Sequence, residues 1–357
     1  MYSEYNTLRT IDLTGTDTAE VDYRWWLGNN NSTLVIDNAV ILFDINTSDH
    51  PYFDGGNHTY NDVVVNYHLN NGHTMYFRDN NQVNDVKITT VGRQNIRLEG
   101  SSVYNDVSID YQLVSSHTPT VTITSNNTFN DFTLGVSGTQ RPTFTVNGSN
   151  TFNVLEIASG TNVFFGANQT QTTNDLILDG ECARLIVIKS TATGNTATIS
   201  QASDTVDAIF IWLQDITATG GAFFDATSAV DLGNVSGWNL DILGGSSLYW
   251  IGGTGSWSDT AHWSATSGGP PAGCVPTFND NVFFDENSFD TTGQTVTVDI
   301  AASCNSMFWE NVDSASNFTG NQTNSIYGSL QLDSNMTWNL NHNTTFISDS
   351  ADVDSID

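Results

Sequence analysis

The chain has 357 residues, enough for one to three domains with cores of ordinary size. It carries 39 acidic residues against nine Lys and Arg, which gives a formal net charge of −30. Nucleic acids and anionic membrane surfaces are bound by clustered Lys and Arg, so this balance argues against both as partners. No apolar run of about 18 or more residues occurs, so we expect no membrane insertion.

Uncharged polar residues dominate the composition. Charged residues make up only 13% of the chain, and Asn, Thr, Ser and Gly take their place. Such a composition is also found in disordered chains. However, 38% of the residues are hydrophobic, 19 of them are Phe, and apolar and polar residues alternate regularly. These features predict a folded β protein.

Residues 1–33 do not match the repeat that follows them. They contain two adjacent tryptophans, Trp25 and Trp26, followed by three asparagines at 29–31. The open end of a stack of repeats has to be covered, because unpaired strands there invite aggregation. We therefore interpret residues 1–33 as an N-terminal cap or junction, with a remnant of a linker as the alternative.

Residues 34–247 are predicted to form one repetitive module. A short phrase built around Asn, in most copies Asn-Asp, recurs six times, with Asn-to-Asn spacings of 23, 21, 25, 23 and 21 residues. Each phrase leads into an apolar-x-apolar strand. A fixed period of roughly 20 to 50 residues is typical of stacked units that cannot bury their apolar faces alone. The repeated asparagines are Asn61, Asn84, Asn105, Asn130, Asn153 and Asn174.

The length of the repeat predicts the fold class. A coil of about 21–25 residues accommodates three short strands and three turns, so we predict an all-β protein, a right-handed parallel β-helix. Asn tolerates turn conformations, and stacked Asn side chains form hydrogen-bonded ladders. We predict that the six asparagines form a structural ladder inside the solenoid, with the aromatic residues that precede them stacked in the core.

Residues 248–357 open on an aromatic-rich stretch in which Trp250, Trp257 and Trp263 lie close to His262. Aromatic residues spaced by glycines form compact clusters. Exposed Trp rings stack on sugars, so these four residues are a candidate ligand patch, but a buried plug at the junction between modules is the interpretation that we favour. The turn and strand pattern then returns, which predicts the start of a second β-helical module.

Several of these stretches resemble the very large repetitive surface proteins of the Bacteroidota, which include gliding-motility and other adhesins exported by type IX secretion. The resemblance implies an elongated, extracellular, non-enzymatic adhesin or filament at the cell surface, and it supplies no catalytic residues. The stretches that carry it are residues 219–223, 233–238, 250–259, 262–264, 280–285 and 304–309.

The three cysteines are Cys182, Cys274 and Cys304, and no Cys-x-x-Cys pair occurs. The absence of such a pair argues against a zinc ribbon or a thioredoxin-like site. A disulfide between Cys274 and Cys304 fits an exported protein. The alternative is that these two cysteines do not pair.

Four aspartates of the repeated phrase are weak candidates for a metal site. In a stack of coils they would lie one above the other, and stacked acidic turns offer the oxygen ligands that Ca²⁺ prefers. Solvated turn carboxylates are the alternative, and no other cofactor is expected. The candidates are Asp62, Asp85, Asp106 and Asp131.

Parallel β-helices also include carbohydrate-active enzymes. Glycoside hydrolysis requires two facing carboxylates at a set separation, and the sequence offers no such pair apart from the aspartates of the repeat. No phosphate-binding loop or metalloprotease motif occurs either. We therefore predict a stiff, non-enzymatic spacer and display surface. Its predicted partners are surface glycans or a host or substratum surface, and neighbouring modules of the same polypeptide or filament. The alternatives are a carbohydrate-binding or carbohydrate-degrading β-helix and a phage tail-fibre or spike.

Overall fold

The computed structural model describes residues 9–27, 32–36, 38–46, 50–69, 72–92, 94–112, 118–137, 141–182, 184–242, 245–312 and 315–347. The chain divides into two units, Met1–Ile242 and Leu243–Asp357. Strands dominate both, and within the described ranges a single 3₁₀ turn, Thr260–His262, is the only helical element. None of the described residues forms a helix long and apolar enough to cross a membrane.

The first unit consists of short strands that follow one another around each coil. In chain order they are β1 (Arg9–Asp12), β2 (Thr18–Val21), β3 (Arg24–Trp26), β4 (Ser32–Val35), β5 (Val40–Ile45), β6 (Tyr52–Asp54), β7 (Thr59–Tyr60), β8 (Val63–Tyr67), β9 (Thr74–Arg78), β10 (Gln82–Thr90), β11 (Asn95–Leu98), β12 (Val103–Gln112), β13 (Thr120–Ile123), β14 (Thr128–Ser137), β15 (Thr143–Val146), β16 (Thr151–Ile157), β17 (Asn162–Phe165), β18 (Thr170–Asp179), β19 (Ile186–Ser190), β20 (Ala197–Gln201), β21 (Thr205–Ile209), β22 (Ile211–Gln214), β23 (Ile216–Thr219), β24 (Phe223–Asp231) and β25 (Trp238–Ile242).

Each strand of this unit pairs in parallel with the equivalent strand of the next coil. β10 pairs with β12 so that Val86 lies beside Val107 and Ile88 beside Ile109. β12 pairs with β14 in the same way, and β14 with β16. The backbone hydrogen bonds therefore run along the axis, with about 4.8 Å between coils. The predicted all-β fold, a parallel β-solenoid, is confirmed.

The apolar residues of the repeated phrase build the core of the first unit. The predicted apolar-x-apolar pairs, such as Val107 and Ile109, are buried, as the alternation of side chains along a strand requires. The aromatic residues stack as predicted: the rings of Tyr104 and Phe129 are 5.2 Å apart, and those of Phe129 and Phe152 are 4.9 Å apart, with 7° between planes in both pairs. Coil-to-coil stacking thus buries a continuous aromatic column.

The described residues of the predicted N-terminal cap form the first coil of the solenoid. β2 pairs in register with β5, and β3 pairs with β6, which places Trp25 beside Phe53. Trp25 is buried, and its indole N–H donates to the hydroxyl of Tyr60 at 3.1 Å. Residues 1–33 thus belong to the first unit. The predicted boundary between residues 247 and 248 lies close to the observed division after Ile242.

The second unit is also a stack of mostly parallel strands. Three sheets are formed by its described residues, in the orders β28-β26-β29-β32-β35, β27-β30-β33-β36 and β31-β34-β37. Among the strand pairs that these described residues form, only β26–β28 is antiparallel. The strands are β26 (Ser247–Trp250), β27 (Gly255–Ser256), β28 (Trp263–Ser264), β29 (Asn281–Phe284), β30 (Gln294–Val298), β31 (Ala302–Cys304), β32 (Met307–Trp309), β33 (Ser316–Gly320), β34 (Asn324–Ile326), β35 (Leu330–Gln331), β36 (Met336–Leu340) and β37 (Thr344–Phe346).

Candidate functional site

The tryptophans of the candidate ligand patch lie in the core of the second unit. Trp250, Trp257 and Trp263 are each 0% exposed. The indole N–H of Trp250 donates to the carbonyl oxygen of Gly253 at 2.7 Å, and that of Trp263 to the carbonyl oxygen of Trp257 at 2.9 Å. A fully buried ring offers no face to a sugar. Burial therefore excludes the exposed ligand patch and agrees with the favoured interpretation, in which the three tryptophans are buried.

His262 packs against the edge of the same tryptophan cluster. Its ring stacks on Trp250, with centroids 4.8 Å apart and 9° between planes. Its Nδ1 lies 2.6 Å from the carbonyl oxygen of Ile251, so this nitrogen carries a proton and donates. Its Nε2 lies 3.9 Å from the carboxylate of Asp259. These contacts make His262 a packing residue.

Cys304 is a free, buried cysteine. It points inward from β31, where it lies beside Ile326 of β34 within the hydrophobic core of the second unit. Burial raises the pKa of its thiol, and the negative charge of Asp280 raises it further. The predicted disulfide between Cys274 and Cys304 is therefore wrong. The alternation of side chains along β31 places Cys304 on the core side, where its neighbours are apolar side chains.

The six repeated asparagines form a ladder, but on the outside of the solenoid. Asn84, Asn105 and Asn130 are exposed. Each side-chain amide donates to a side chain or carbonyl of the preceding coil. The predicted ladder of asparagines therefore exists, but it lies on the outside of the solenoid and not inside it. The bonds run from Asn84 to Asp62 (2.9 Å), Asn105 to Asp85 (3.1 Å), Asn130 to Asp106 (3.1 Å), Asn153 to Asp131 (3.5 Å), Asn174 to Asn153 (3.2 Å) and from Asn61 to the carbonyl oxygen of Asn38 (3.1 Å).

A corner in each strand explains why the asparagines lie outside. In β10, Val83 and Val86 point inward, whereas Asn84 and Asp85 between them both lie on the outer side. Two successive outward residues interrupt the period of two that a straight strand follows. β12 and β14 show the same burial pattern. The corner brings each Asn amide within reach of the carboxylate of the coil before it.

The four candidate calcium ligands do not form a metal site. Asp85, Asp106 and Asp131 lie beside one another in the parallel register. Each carboxylate accepts a hydrogen bond from the Asn of the following coil, which offsets part of the repulsion between stacked like charges. Among the described residues, no three or more His, Cys, Asp or Glu side chains are grouped so that they could hold a metal ion.

A second ladder, which was not predicted, is buried three residues before the repeated Asn. Its members are at most 3% exposed. The backbone N–H of each turn donates to a side-chain oxygen of the next coil. The bonds run from Asn81 to Ser102 (3.0 Å), Ser102 to Asn127 (2.8 Å), Asn127 to Asn150 (2.8 Å) and Asn150 to Gln171 (3.3 Å). The signal in the sequence was the polar residue that ends each turn.

The buried ladder also satisfies its own side-chain donors. The amide of Asn127 donates to the carbonyl oxygen of Ser125 at 3.3 Å, and that of Asn150 to the carbonyl oxygen of Asn147 at 3.2 Å. The amide of Gln171 donates to the carbonyl oxygen of Gly148 at 2.7 Å. Because a buried polar group without a partner costs about 1–3 kcal/mol, this pairing allows amides in the interior of the stack.

Arginine and tyrosine side chains cover another outer face. The register places Arg24, Tyr52, Tyr76 and Arg97 in one column. The two tyrosine rings stack 5.0 Å apart, and the guanidinium of Arg78 lies 4.6 and 4.5 Å from their centroids. The ring faces are thus occupied by each other and by arginine. This column stiffens the first coils and does not offer a ring face to a ligand.

A shallow groove runs along the first unit between two columns of outward side chains. Its floor is formed by the strand positions that point inward, including Tyr104 and Phe129. One column carries mainly hydroxyl and amide groups, and the other consists of repeated asparagines. The first column is Thr59, Gln82, Val103, Thr128 and Thr151, and the second is Asn84, Asn105, Asn130, Asn153 and Asn174.

No protein-family model, no curated protein and no solved structure matches this chain. The resemblance to the Bacteroidota surface adhesins therefore stays a prediction.

Proposed function

We propose that the chain is a non-enzymatic structural and adhesive segment of a long extracellular surface filament or adhesin, in which it acts as a stiff spacer and display surface. The observation that supports this proposal is that three separate ladders join successive coils of the first unit. They are the parallel backbone pairing, the buried amide ladder and the outer Asn–Asp ladder.

The three ladders lie at different depths but cross the same boundaries between coils. Between β12 and β14, the backbone pairing extends from Val103–Thr128 to Gln112–Ser137. At the same boundary, Ser102 bonds to Asn127 inside, and Asn130 bonds to Asp106 outside. Each buried hydrogen bond of these ladders contributes about 0.5–1.5 kcal/mol, and the exposed bond between Asn130 and Asp106 contributes no more than about 0.5 kcal/mol. Separating two coils breaks the hydrogen bonds of all three ladders together, which suits a protein segment that is under tension.

The outer faces fit the second half of the proposal, the display of a surface. Exposed positions carry uncharged Asn, Thr and Ser side chains at the spacing of the coils, and a net charge of −30 favours solubility. A surface of hydroxyl and amide groups is suited to polar partners. We propose surface glycans and neighbouring modules of the same filament as these partners.

Single-molecule force spectroscopy tests the mechanical part. Pulled from its ends, the chain is expected to lengthen in steps of whole coils, about 70–90 Å each for a coil of roughly 21–25 residues at about 3.3–3.6 Å per residue. The double variant Asn127→Ala/Asn150→Ala should unfold at lower force, while Asn105→Ala/Asn130→Ala should resemble the parent. Smooth lengthening at low force, without coil-sized steps, would contradict a spacer.

Two further measurements test location and lack of catalysis. Antibodies against the chain should label intact cells of the source organism, and external protease should remove the label. Incubation with plant and bacterial polysaccharides should release no reducing ends. Labelling that requires permeabilised cells, or the release of sugar products, would contradict the proposal.

A further inference from the structure

The groove of the first unit is a regular array. In the parallel register, Gln82 lies beside Val103, Val103 beside Thr128, and Thr128 beside Thr151. Neighbouring positions in such a ladder are about 4.8 Å apart. A site that repeats the same contacts at a short, constant interval suits a linear ligand with a repeating unit, lying along the axis.

The polar groups that border the groove are available to such a ligand. Each of Asn84, Asn105 and Asn130 uses its amide nitrogen as a donor to the coil before it. Their side-chain carbonyl oxygens, and the hydroxyls of Thr128 and Thr151, make no hydrogen bond to any described residue. Carbonyl oxygens accept and hydroxyls both donate and accept. The array is therefore complementary to a ligand rich in hydroxyl groups.

One apolar position breaks the polar columns. Val103 is 49% exposed, the second most exposed of the large hydrophobic side chains in the structure. It lies between Gln82 and Thr128, in the middle of the first column. An exposed aliphatic side chain between polar ones suits the C–H face of a sugar ring, because binding sites combine apolar contact with a few placed polar groups.

Charge decides between neutral and acidic polymers. The groove columns contain no Lys or Arg, and Asp85, Asp106 and Asp131 directly follow the asparagines of the second column. The whole chain carries a formal net charge of −30. An anionic polymer in this groove would lie beside a row of carboxylates, and like charges in close juxtaposition disfavour binding. The strands that line the groove carry a single Lys or Arg, Lys87, which lies beyond the corner of β10.

We propose that this groove binds a neutral linear polysaccharide along the solenoid axis, through the Thr and Asn columns and Val103. The inference rests on the proposed adhesive function and deepens it, since it assigns both a site and a ligand class. It does not rest on the Trp-rich stretch, whose rings are buried.

Affinity electrophoresis in native gels provides the test, because a chain of −30 migrates readily towards the anode. The gels contain hydroxyethyl cellulose or galactomannan as neutral polymers, or polygalacturonate as the anionic one. The groove variant is Val103→Lys/Thr128→Lys. Its control is Ser108→Lys/Thr133→Lys, a second pair of cross-strand partners on the same two strands but beyond the corner. Both variants add the same charge, and circular dichroism checks that both fold.

We expect at least one neutral polymer to retard the parent protein and the control variant equally. The groove variant should bind it at least about tenfold more weakly, which corresponds to about 1.4 kcal/mol. The proposal is overturned if neither neutral polymer retards the parent, if polygalacturonate retards it more strongly, or if the two variants lose binding equally. None of these results would alter the coil-sized steps under force, so failure of the ligand and failure of the spacer are distinguishable.

Discussion

Asn127 and Asn130 show how strongly position within a coil determines what one residue type does. They are three residues apart in the same phrase, and both belong to ladders that run along the axis. Asn127 is 3% exposed and supplies the acceptor for the backbone N–H of Ser102 at 2.8 Å. Asn130 is exposed and bonds to Asp106 where water competes. The same side chain therefore contributes differently to stability.

The substitution Asn127→Ala should lower the free energy of unfolding by about 1–3 kcal/mol, because it leaves the buried N–H of Ser102 without an acceptor. The matched substitution Asn130→Ala should change it by no more than about 0.5 kcal/mol, as is usual for an exposed position. Urea denaturation followed by circular dichroism measures both. Equal losses for the two variants would show that the outer ladder carries as much energy as the buried one.

The thiol of Cys304 should be unreactive in the folded protein. The side chain is 0% exposed, and burial together with Asp280 raises the pKa of the thiol, so the reactive thiolate is scarce at pH about 8. Iodoacetamide followed by peptide mass spectrometry should show no modification at Cys304 in buffer and complete modification in concentrated urea. Rapid modification in buffer would mean that this part of the second unit opens readily.

At the scale of the element, the turns between coils are where the backbone is most constrained. Gly148 has a φ of 84°, and a Cβ at this position would meet the carbonyl oxygen of Ser125 in the coil before it. Its N–H donates to the side chain of Gln169 at 2.7 Å. The turn thus packs backbone against backbone, and it places Asn150 in the buried ladder.

A comparison of Gly148→Ala with Gly194→Ala separates the free-energy cost of a left-handed backbone conformation from that of a steric clash. Both glycines have a positive φ, 84° and 82°, so both substitutions incur the cost of a left-handed alanine, about 1–2 kcal/mol. Only at Gly148 does the new Cβ also collide with backbone, whereas nothing lies within 4 Å at Gly194. Thermal denaturation should therefore show the larger loss for Gly148→Ala. A larger loss at Gly194 would contradict the close approach of the two turns.

The repeated phrase made the strands of the first unit predictable. The inward pairs such as Val107 and Ile109, and the aromatic column through Phe129, followed from period-two alternation and a fixed coil length. The location of the asparagines was not predictable in this way, because the corner at Asn105 and Asp106 places two successive residues outside. The buried ladder was missed for a related reason: its members differ in type, as Ser102 and Gln171 show.

The composition of the second unit indicated an aromatic cluster, but it did not indicate whether that cluster is buried or exposed. Trp250 and Trp263 lie in a stretch rich in glycines and polar residues, which is compatible with a surface or a core. Burial depends on partners supplied by distant strands, such as Phe284, whose centroid lies 6.1 Å from both. The candidate groove was equally hidden, because its two columns are assembled from six coils.

At the scale of the whole molecule, charge is the dominant feature. A net charge of −30 with 39 acidic and nine basic residues leaves most carboxylates without a counter-charge. Repulsion among them opposes the folded state, which brings them closer together than the unfolded chain does. Added salt screens this repulsion, with a Debye length of about 10 Å at 0.1 M.

The melting temperature at pH about 7 should therefore rise as NaCl is increased from about 0.01 to 0.15 M, by roughly 2–4 °C for each kcal/mol of repulsion that is screened. The control is the same titration close to the isoelectric point of about 4.1, where the net charge vanishes and the gain should disappear. Differential scanning calorimetry provides both curves. A fall in melting temperature with salt at neutral pH would mean that attractive ion pairs outweigh the net repulsion.

The buried ladder has a direction, and that direction bears on how such a chain is made. The turn N–H of Ser102 obtains its acceptor from Asn127, and that of Asn127 from Asn150, always from the coil that is synthesised later. The newest coil of a growing chain is therefore always incomplete, and its successor finishes it. A chain emerging from a ribosome or a secretion channel would fold in the order in which it appears, each coil serving as the template for the next. Insertion or deletion of a whole coil keeps every turn N–H paired with the side chain of the next coil, whereas insertion of part of a coil breaks this pairing. The coil is therefore the natural unit in which such a molecule grows or shrinks in evolution.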